Sequence, residues 1–188
     1  AQALMEGWAE CIEPDGYALQ AKPIDLAPYH FEKLVGGLVD MIVYGGDPRA
    51  ATHLGRIIGW AETNVAGGEQ QIKTTNANWY VRNGEWYTLS ENLYRAFQAT
   101  GDPRCRRLAE RFEYTDFWNL IAKRANVFDR PGWGGWYHAY SHVNSFCGAG
   151  PAYLVKGDEH YLDVLKAAFD FIQEQEAYAT GGFGPNET

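Results

Sequence analysis

Apolar residues along this chain recur at helical spacing, in blocks that pair across short turns. Phe31, Leu34, Val35, Leu38, Val39 and Ile42 form one broad face, and Leu54, Ile57, Ile58, Ala61 and Val65 form the next. Leu89, Leu93, Ala96 and Phe97 repeat the pattern and are followed by Leu108 and Phe112. Leu162, Leu165, Phe169 and Ile172 close the series. Recurrence at three and four residues predicts amphipathic helices, and no comparable alternating run predicts a sheet.

Three turns punctuate these blocks: Gly45-Gly46-Asp47-Pro48-Arg49, Thr100-Gly101-Asp102-Pro103-Arg104 and Lys156-Gly157-Asp158-Glu159-His160. Their Gly-Asp steps begin at 46, 101 and 157, spacings of 55 and 56 residues. Each carries the same instruction. Glycine closes one helix in a left-handed cap, and aspartate opens the next as its N-cap. Proline at the first helical position of two of them agrees. Helical hairpins repeating at this interval predict an all-α array, stacked or closed.

The connections alternate in length. Each hairpin turns tightly, whereas the chain spends long stretches between hairpins, at about 13–28, 64–87, 124–140 and 176–188. Parallel hairpins bring all the long connections to one end, where loops of such length are usually functional. They hold Trp79, Trp86, Trp133 and Trp136, with Tyr17, Tyr80, Tyr87, Tyr137, Tyr140 and Tyr178. Three hairpins fall short of a closed toroid; six would need roughly twice this length at the observed repeat. The expected architecture is therefore about half of an (α/α)6 barrel, with residues 1–188 a partial barrel domain cut at both ends. An open solenoid is the other option. A half barrel would leave Leu4, Leu165 and their neighbours uncovered, which predicts poor solubility or self-association.

Composition narrows the function. The net charge is −8 and the pI about 5.1, which argues against nucleic-acid or anionic-membrane surfaces. Arg104, Arg106 and Arg107 form the one tight basic group, expected as a solvated helix face. Aromatic residues make up 15% of the chain, including seven Trp and twelve Tyr. Gathered at one end, they suit a carbohydrate cleft, with Trp86, Trp136 and Tyr140 as stacking candidates, although buried rings serve a core equally well. Cys11, Cys105 and Cys147 lack metal-ligand spacing and are expected as buried free thiols. The N-terminus shows no signal-peptide pattern, and the compartment stays open.

The ordered segments Tyr29-His30-Phe31-Glu32-Lys33-Leu34-Val35-Gly36-Gly37-Leu38-Val39-Asp40, Trp86 through Phe97 with Thr100-Gly101-Asp102, and His142-Val143-Asn144 leading to Ala179-Thr180-Gly181-Gly182 and Glu187 resemble the β-L-arabinofuranosidase group, glycoside hydrolase family 127 with its relative family 146. The similarity runs along nearly the whole chain. It implies an (α/α)6 barrel followed by β-sandwich domains, a bacterial enzyme, and cleavage of β-L-arabinofuranosides with retention. It also implies a glutamate acid/base and a zinc-bound cysteine nucleophile in place of the usual carboxylate pair. Zinc would keep the thiol as thiolate near neutral pH, while a separate acid protonates the leaving oxygen.

Position by position, Glu187 matches the acid/base, with a solvated loop carboxylate as its bland alternative. His142 matches a histidine lining the sugar pocket. His138 carries no such match and is expected to be structural. Asn144 either bonds sugar or caps a helix. Two departures stand out. Gly36-Gly37 replaces a Gly-His pair of the best-known members, and Glu32 stands where the family 146 pattern has histidine. Glu32 and Glu91 then either contact sugar or pair as buried carboxylates between helices, with pairing favoured for Glu91. The nucleophile and the zinc ligands would lie beyond residue 188, so no metal ligand is assigned within the chain, and the chain alone would be inactive. Its expected partners are a carbohydrate and the remainder of the parent protein. Another toroid sugar enzyme (an epimerase or unsaturated glucuronyl hydrolase) and a non-catalytic helical carbohydrate-binding module are the competing readings.

Overall fold

The computed structural model describes residues 1–19, 27–65, 85–125, 127 and 138–184. Among these residues the chain is all-α, without strands. Helix α1 spans Gln2–Ala9, α2 Ala27–Val43 and α3 Pro48–Asn64. A 3-10 turn at Trp86–Thr88 runs into α4, Leu89–Thr100, followed by α5, Pro103–Arg111, and α6, Thr115–Ala122. Helix α7, Ala139–Ser145, continues through a 3-10 turn at Phe146–Gly148 into α8, Ala149–Lys156. Helix α9, Glu159–Phe171, ends in a π turn at Ile172–Glu176.

The repeated turns are built as their sequence predicts. Gly46, Gly101 and Gly157 have φ of 60°, 72° and 69°, a region open to glycine at little cost. Asp47, Asp102 and Asp158 are extended and accept from the backbone N–H groups of Arg49, Arg104 and His160, at 3.0, 2.9 and 3.0 Å. Each aspartate thus satisfies an N–H that the helix cannot. In the first two turns the same carboxylate also binds the arginine side chain, at 2.6 Å in both. Arg104 further lies over Gly59 of α3, where an added Cβ would meet its guanidinium at 3.3 Å. Arg106 and Arg107 pair with Glu110 and Glu62, so this basic group is a structural helix face.

Three hairpins result: α2–α3, α4–α5 and α8–α9. Helix α2 packs on α4 and α4 on α8, while α3 packs on α5 and α6 on α9. Like layers therefore touch like layers, the arrangement that helical hairpins take when set side by side. Phe31, Val35, Val39, Leu89, Leu93, Leu108 and Phe112 are buried as their spacing predicts, as are Leu54, Ile57 and Ile58. The layers meet closely at Gly148, where an added Cβ would lie 2.2 Å from the buried Ser90 Oγ.

Several expectations need correction. Only Cys105 is buried; Cys11 and Cys147 are exposed. In α9 the buried stripe is Tyr161, Val164, Ala167 and Ala168, rotated from the predicted one. Phe169 is instead 65% exposed, and Leu165 is half-buried. Leu4 is exposed at 80% as expected, joined by Leu154 at 71%. The larger residues of α9 thus form a second apolar stripe, which sequence spacing could not separate from the core-facing one. Helices α1 and α6 were not marked by the periodicity, being about two turns long.

A polar lock joins the second and third hairpins. Lys156 Nζ donates to Glu113 Oε1 at 2.6 Å and to Tyr161 Oη at 2.7 Å, and Tyr161 donates to Glu113 Oε2 at 3.0 Å. Tyr94 also donates to Glu113. Burial disfavours the Lys156 charge, but the carboxylate and hydroxyl outweigh it and hold the ammonium above its ordinary range. Its contribution is fully present below the unfolded lysine value of about 10.4 and fades as pH rises through the folded one. Lys156→Met is expected to lower unfolding free energy by about 2 kcal/mol at pH 7. Denaturant melts should show the gap between wild type and variant closing on the alkaline side.

Candidate functional site

The starts of α2, α4 and α7 lie at one end of the array, opposite the Gly-Asp turns. Histidine 142 sits there in the last turn of α7 and is buried. Its ring is enclosed by Tyr87 at 4.6 Å, Phe117 at 5.3 Å and Tyr114 at 5.8 Å between centroids. Tyr114 stacks on both Tyr87 and Phe117, at 4.8 and 5.0 Å. Such packing fixes the imidazole plane.

Hydrogen bonding fixes its proton. His142 Nδ1 lies 2.8 Å from the His138 carbonyl oxygen. A carbonyl only accepts, so Nδ1 carries the hydrogen and Nε2 is the acceptor nitrogen of the neutral ring. Tyr87 Oη lies 3.3 Å from the same Nδ1 and 2.8 Å from Ser141 Oγ. Ser141 Oγ in turn donates to the His138 carbonyl at 3.3 Å. Burial raises the Tyr87 phenol well above the ordinary tyrosine value, keeping it a neutral donor. The arrangement holds the imidazole in one orientation, at its ring faces by aromatic packing and at Nδ1 by the His138 carbonyl.

The two candidate carboxylates, Glu32 and Glu91, behave differently. Glu32, on α2, is buried; Asn92 Nδ2 of α4 donates to its Oε1 at 2.5 Å, and Lys33 pairs with its other oxygen. Arg95 holds the Asn92 carbonyl at 2.7 Å and Asp40 at 2.5 Å, extending the link back to α2. Gly36 makes room for this crossing, since a Cβ there would lie 2.8 Å from Asn92 Nδ2. Buried pairing between helices thus describes Glu32. Glu91 is half-buried, and no hydrogen bond to a described residue reaches its carboxylate. The pairing favoured for Glu91 is found at Glu32 instead. Burial raises the Glu91 pKa; Arg95 opposes the shift and Glu32 adds to it.

The remaining candidates divide. Trp86 is buried, edge-on to Tyr87 and Tyr114 at 5.6 and 5.1 Å, and packs the wall behind the site. Asn144 is half-buried two residues beyond His142. Tyr140 is 50% exposed and donates to Glu85 Oε1 at 2.7 Å. His138 Nδ1 meets the same oxygen at 2.9 Å. Glu85 was not singled out from sequence; a lone loop carboxylate gives no periodic signal. Glu187 and Trp136 lie outside the described residues.

No three His, Cys, Asp or Glu side chains among the described residues converge on a point that could hold a metal ion. Burial pushes the Cys105 thiol up to about 12. Burial and the Glu91 charge raise the Cys147 thiol as well. With no converging set of ligands around any of their cysteines, the described residues do not fit a zinc–thiolate centre.

Glu91 gives a test. With its folded pKa raised, the native state binds the proton more tightly than the unfolded chain. Stability therefore falls as pH rises from about 4.3 through the folded value. Glu91→Gln is expected to gain stability relative to wild type at pH 7 compared with pH 4, measured by paired denaturant melts.

Set against known protein families, residues 3–188 match the one described as "Beta-L-arabinofuranosidase, GH127 catalytic domain". No curated protein matches the chain.

Proposed function

The chain belongs to the GH127 β-L-arabinofuranosidase catalytic-domain family and is a glycoside hydrolase domain; on that premise we propose that it binds and cleaves β-L-arabinofuranosides or related plant-polysaccharide sugars with retention of configuration. The observation that carries this reading is His142. A buried imidazole, enclosed by aromatic rings and with Nδ1 committed to a backbone carbonyl, is a polar group held in one orientation at the end of the array, at the position the family pattern gives to the sugar pocket. Glu91, half-buried on the neighbouring helix, places a carboxyl at the same end, within reach of a sugar hydroxyl in this reading. Asn144 and Tyr140 extend the same end. Glu32 supports the site from behind by holding α2 to α4 through Asn92.

In this proposal Glu187 is the acid/base. Its place five residues beyond Gly181-Gly182 matches the family pattern, and its carboxylic acid would protonate the departing glycosidic oxygen and later take a proton from water. The zinc-bound cysteine that goes with the family would come from residues other than Cys11, Cys105 and Cys147, further along a longer parent protein. The three hairpins would then be half of its barrel, completed by further hairpins and followed by β-sandwich domains. The exposed Leu154 of α8 and Phe169 of α9 support that completion, as large apolar side chains which another hairpin would cover. Alone, the 188 residues would be inactive.

The experiment is hydrolysis of an aryl β-L-arabinofuranoside by the full protein. Glu187→Gln is expected to lower kcat by about 10²–10⁴-fold, less so for substrates with a good phenol leaving group. Full retained activity in that variant would remove the acid assignment, and no hydrolysis by wild type would remove the substrate.

A further inference from the structure

The Glu85 side chain is not explained by the helical frame. Its backbone lies in the left-handed region, at φ 63° and ψ 23°, which costs a non-glycine residue of order 1 kcal/mol or more. Its Oε2 is buried and has no hydrogen-bond partner among the described residues, a second cost. The gain is on Oε1, which accepts from Tyr140 Oη at 2.7 Å and meets His138 Nδ1 at 2.9 Å. The Tyr140 ring stands edge-on to the His138 ring, with centroids 4.3 Å apart at 71°. Glu85 precedes α4, whereas Tyr140 lies in α7, 55 residues later. One carboxylate thus ties the entrances of two neighbouring hairpins.

The product of this clamp is a tyrosine held at its hydroxyl and against the His138 ring, yet half exposed. Tyr29 of α2 adjoins it, with the Lys33 ammonium 4.8 Å above the Tyr29 ring. A fixed phenol of this kind offers large apolar area at small entropic cost. Were the clamp merely a brace between hairpins, the tyrosine ring could be buried like Tyr87 and Trp86, its near neighbours in the fold.

We propose that Glu85 is a positioning residue which orients Tyr140 as a stacking face for the C–H side of a neutral sugar ring, next to the His142 pocket. The proposal rests on the glycosidase reading above for its substrate, but the clamp itself can be tested without any substrate. His138 has a double part, packing its own ring against Tyr140 and supplying the carbonyl that orients His142. A displaced His138 would therefore disturb both features.

The test uses the full protein with Glu85→Gln, Tyr140→Phe and the double variant. The first readout is the Tyr140 phenol, followed by NMR of 13C-labelled tyrosine and assigned by its loss in Tyr140→Phe. Its partial burial and its bond to the Glu85 carboxylate hold the phenol above the ordinary tyrosine value. Glu85→Gln is expected to bring its ionisation down toward that value of about 10. The second readout is the kinetics on an aryl β-L-arabinofuranoside. Each single variant should raise KM by about tenfold and lower kcat by less, with the double no worse than the weaker single. An unmoved phenol titration overturns the clamp, and so the proposal. A moved titration with unchanged KM shows a brace without a binding role and overturns it equally. If wild type hydrolyses no arabinofuranoside, the substrate reading fails, and weaker binding of neutral monosaccharides by Tyr140→Phe, seen by saturation-transfer NMR, then decides the stacking role.

Discussion

Everything at the site depends on the helices of each hairpin ending and starting in register, and a Gly-Asp pair imposes that register. A left-handed glycine stops the incoming helix, and the next carboxylate starts the outgoing one within two residues. Because the three turns share this geometry, they set the same end of the array. The opposite ends of α2, α4 and α7 are then brought together by default. His142, Glu91, Glu32 and Tyr140 meet there although up to 110 residues separate them in sequence.

Polar links between adjacent layers refine this frame at two levels. Near the tight turns, Glu113 and Lys156 form a half-buried lock between the second and third hairpins. Near the site, Glu32, Asn92, Arg95 and Asp40 tie the first to the second. Such networks contribute little beyond an apolar equivalent, but they are costly to half-break. They admit one lateral placement of neighbouring hairpins, and a cluster such as His142, Glu91 and Tyr140, built across neighbouring helices, requires that placement.

The fold was largely legible from the chain, for a physical reason. Turn chemistry is local: Asp47, Asp102 and Asp158 act on backbone groups two residues away, so sequence states the outcome directly. Helix faces are nearly as local, and Val35, Leu93 and Leu108 were placed correctly. Failure came at α9, where two apolar stripes coexist and only packing decides between them; Val164 and Ala168 face inward while Phe169 does not. The site was less legible. A motif singles out His142, but the orientation of its ring depends on the His138 carbonyl, which no side-chain pattern encodes. Of the two carboxylates for which pairing was an option, Glu32 and not Glu91 is the one paired, because burial on an inner helix turns on one residue's rotation toward Asn92. Glu85 left no trace, since its importance lies in backbone strain and a partner 55 residues away.

The third Gly-Asp turn differs from the first two in one respect. Where they place Arg49 and Arg104 on the capping carboxylate, it places His160, which contributes its backbone N–H. The turn nevertheless keeps the same glycine conformation and cap. The start and stop signals of the unit are therefore complete without the ion pair and without any neighbouring hairpin. A unit with such self-contained boundaries can be copied in tandem and joined without redesigning the junction. Its distal loops are then free to diverge, which gives a toroid a route to new sugar preferences while its frame is inherited unchanged.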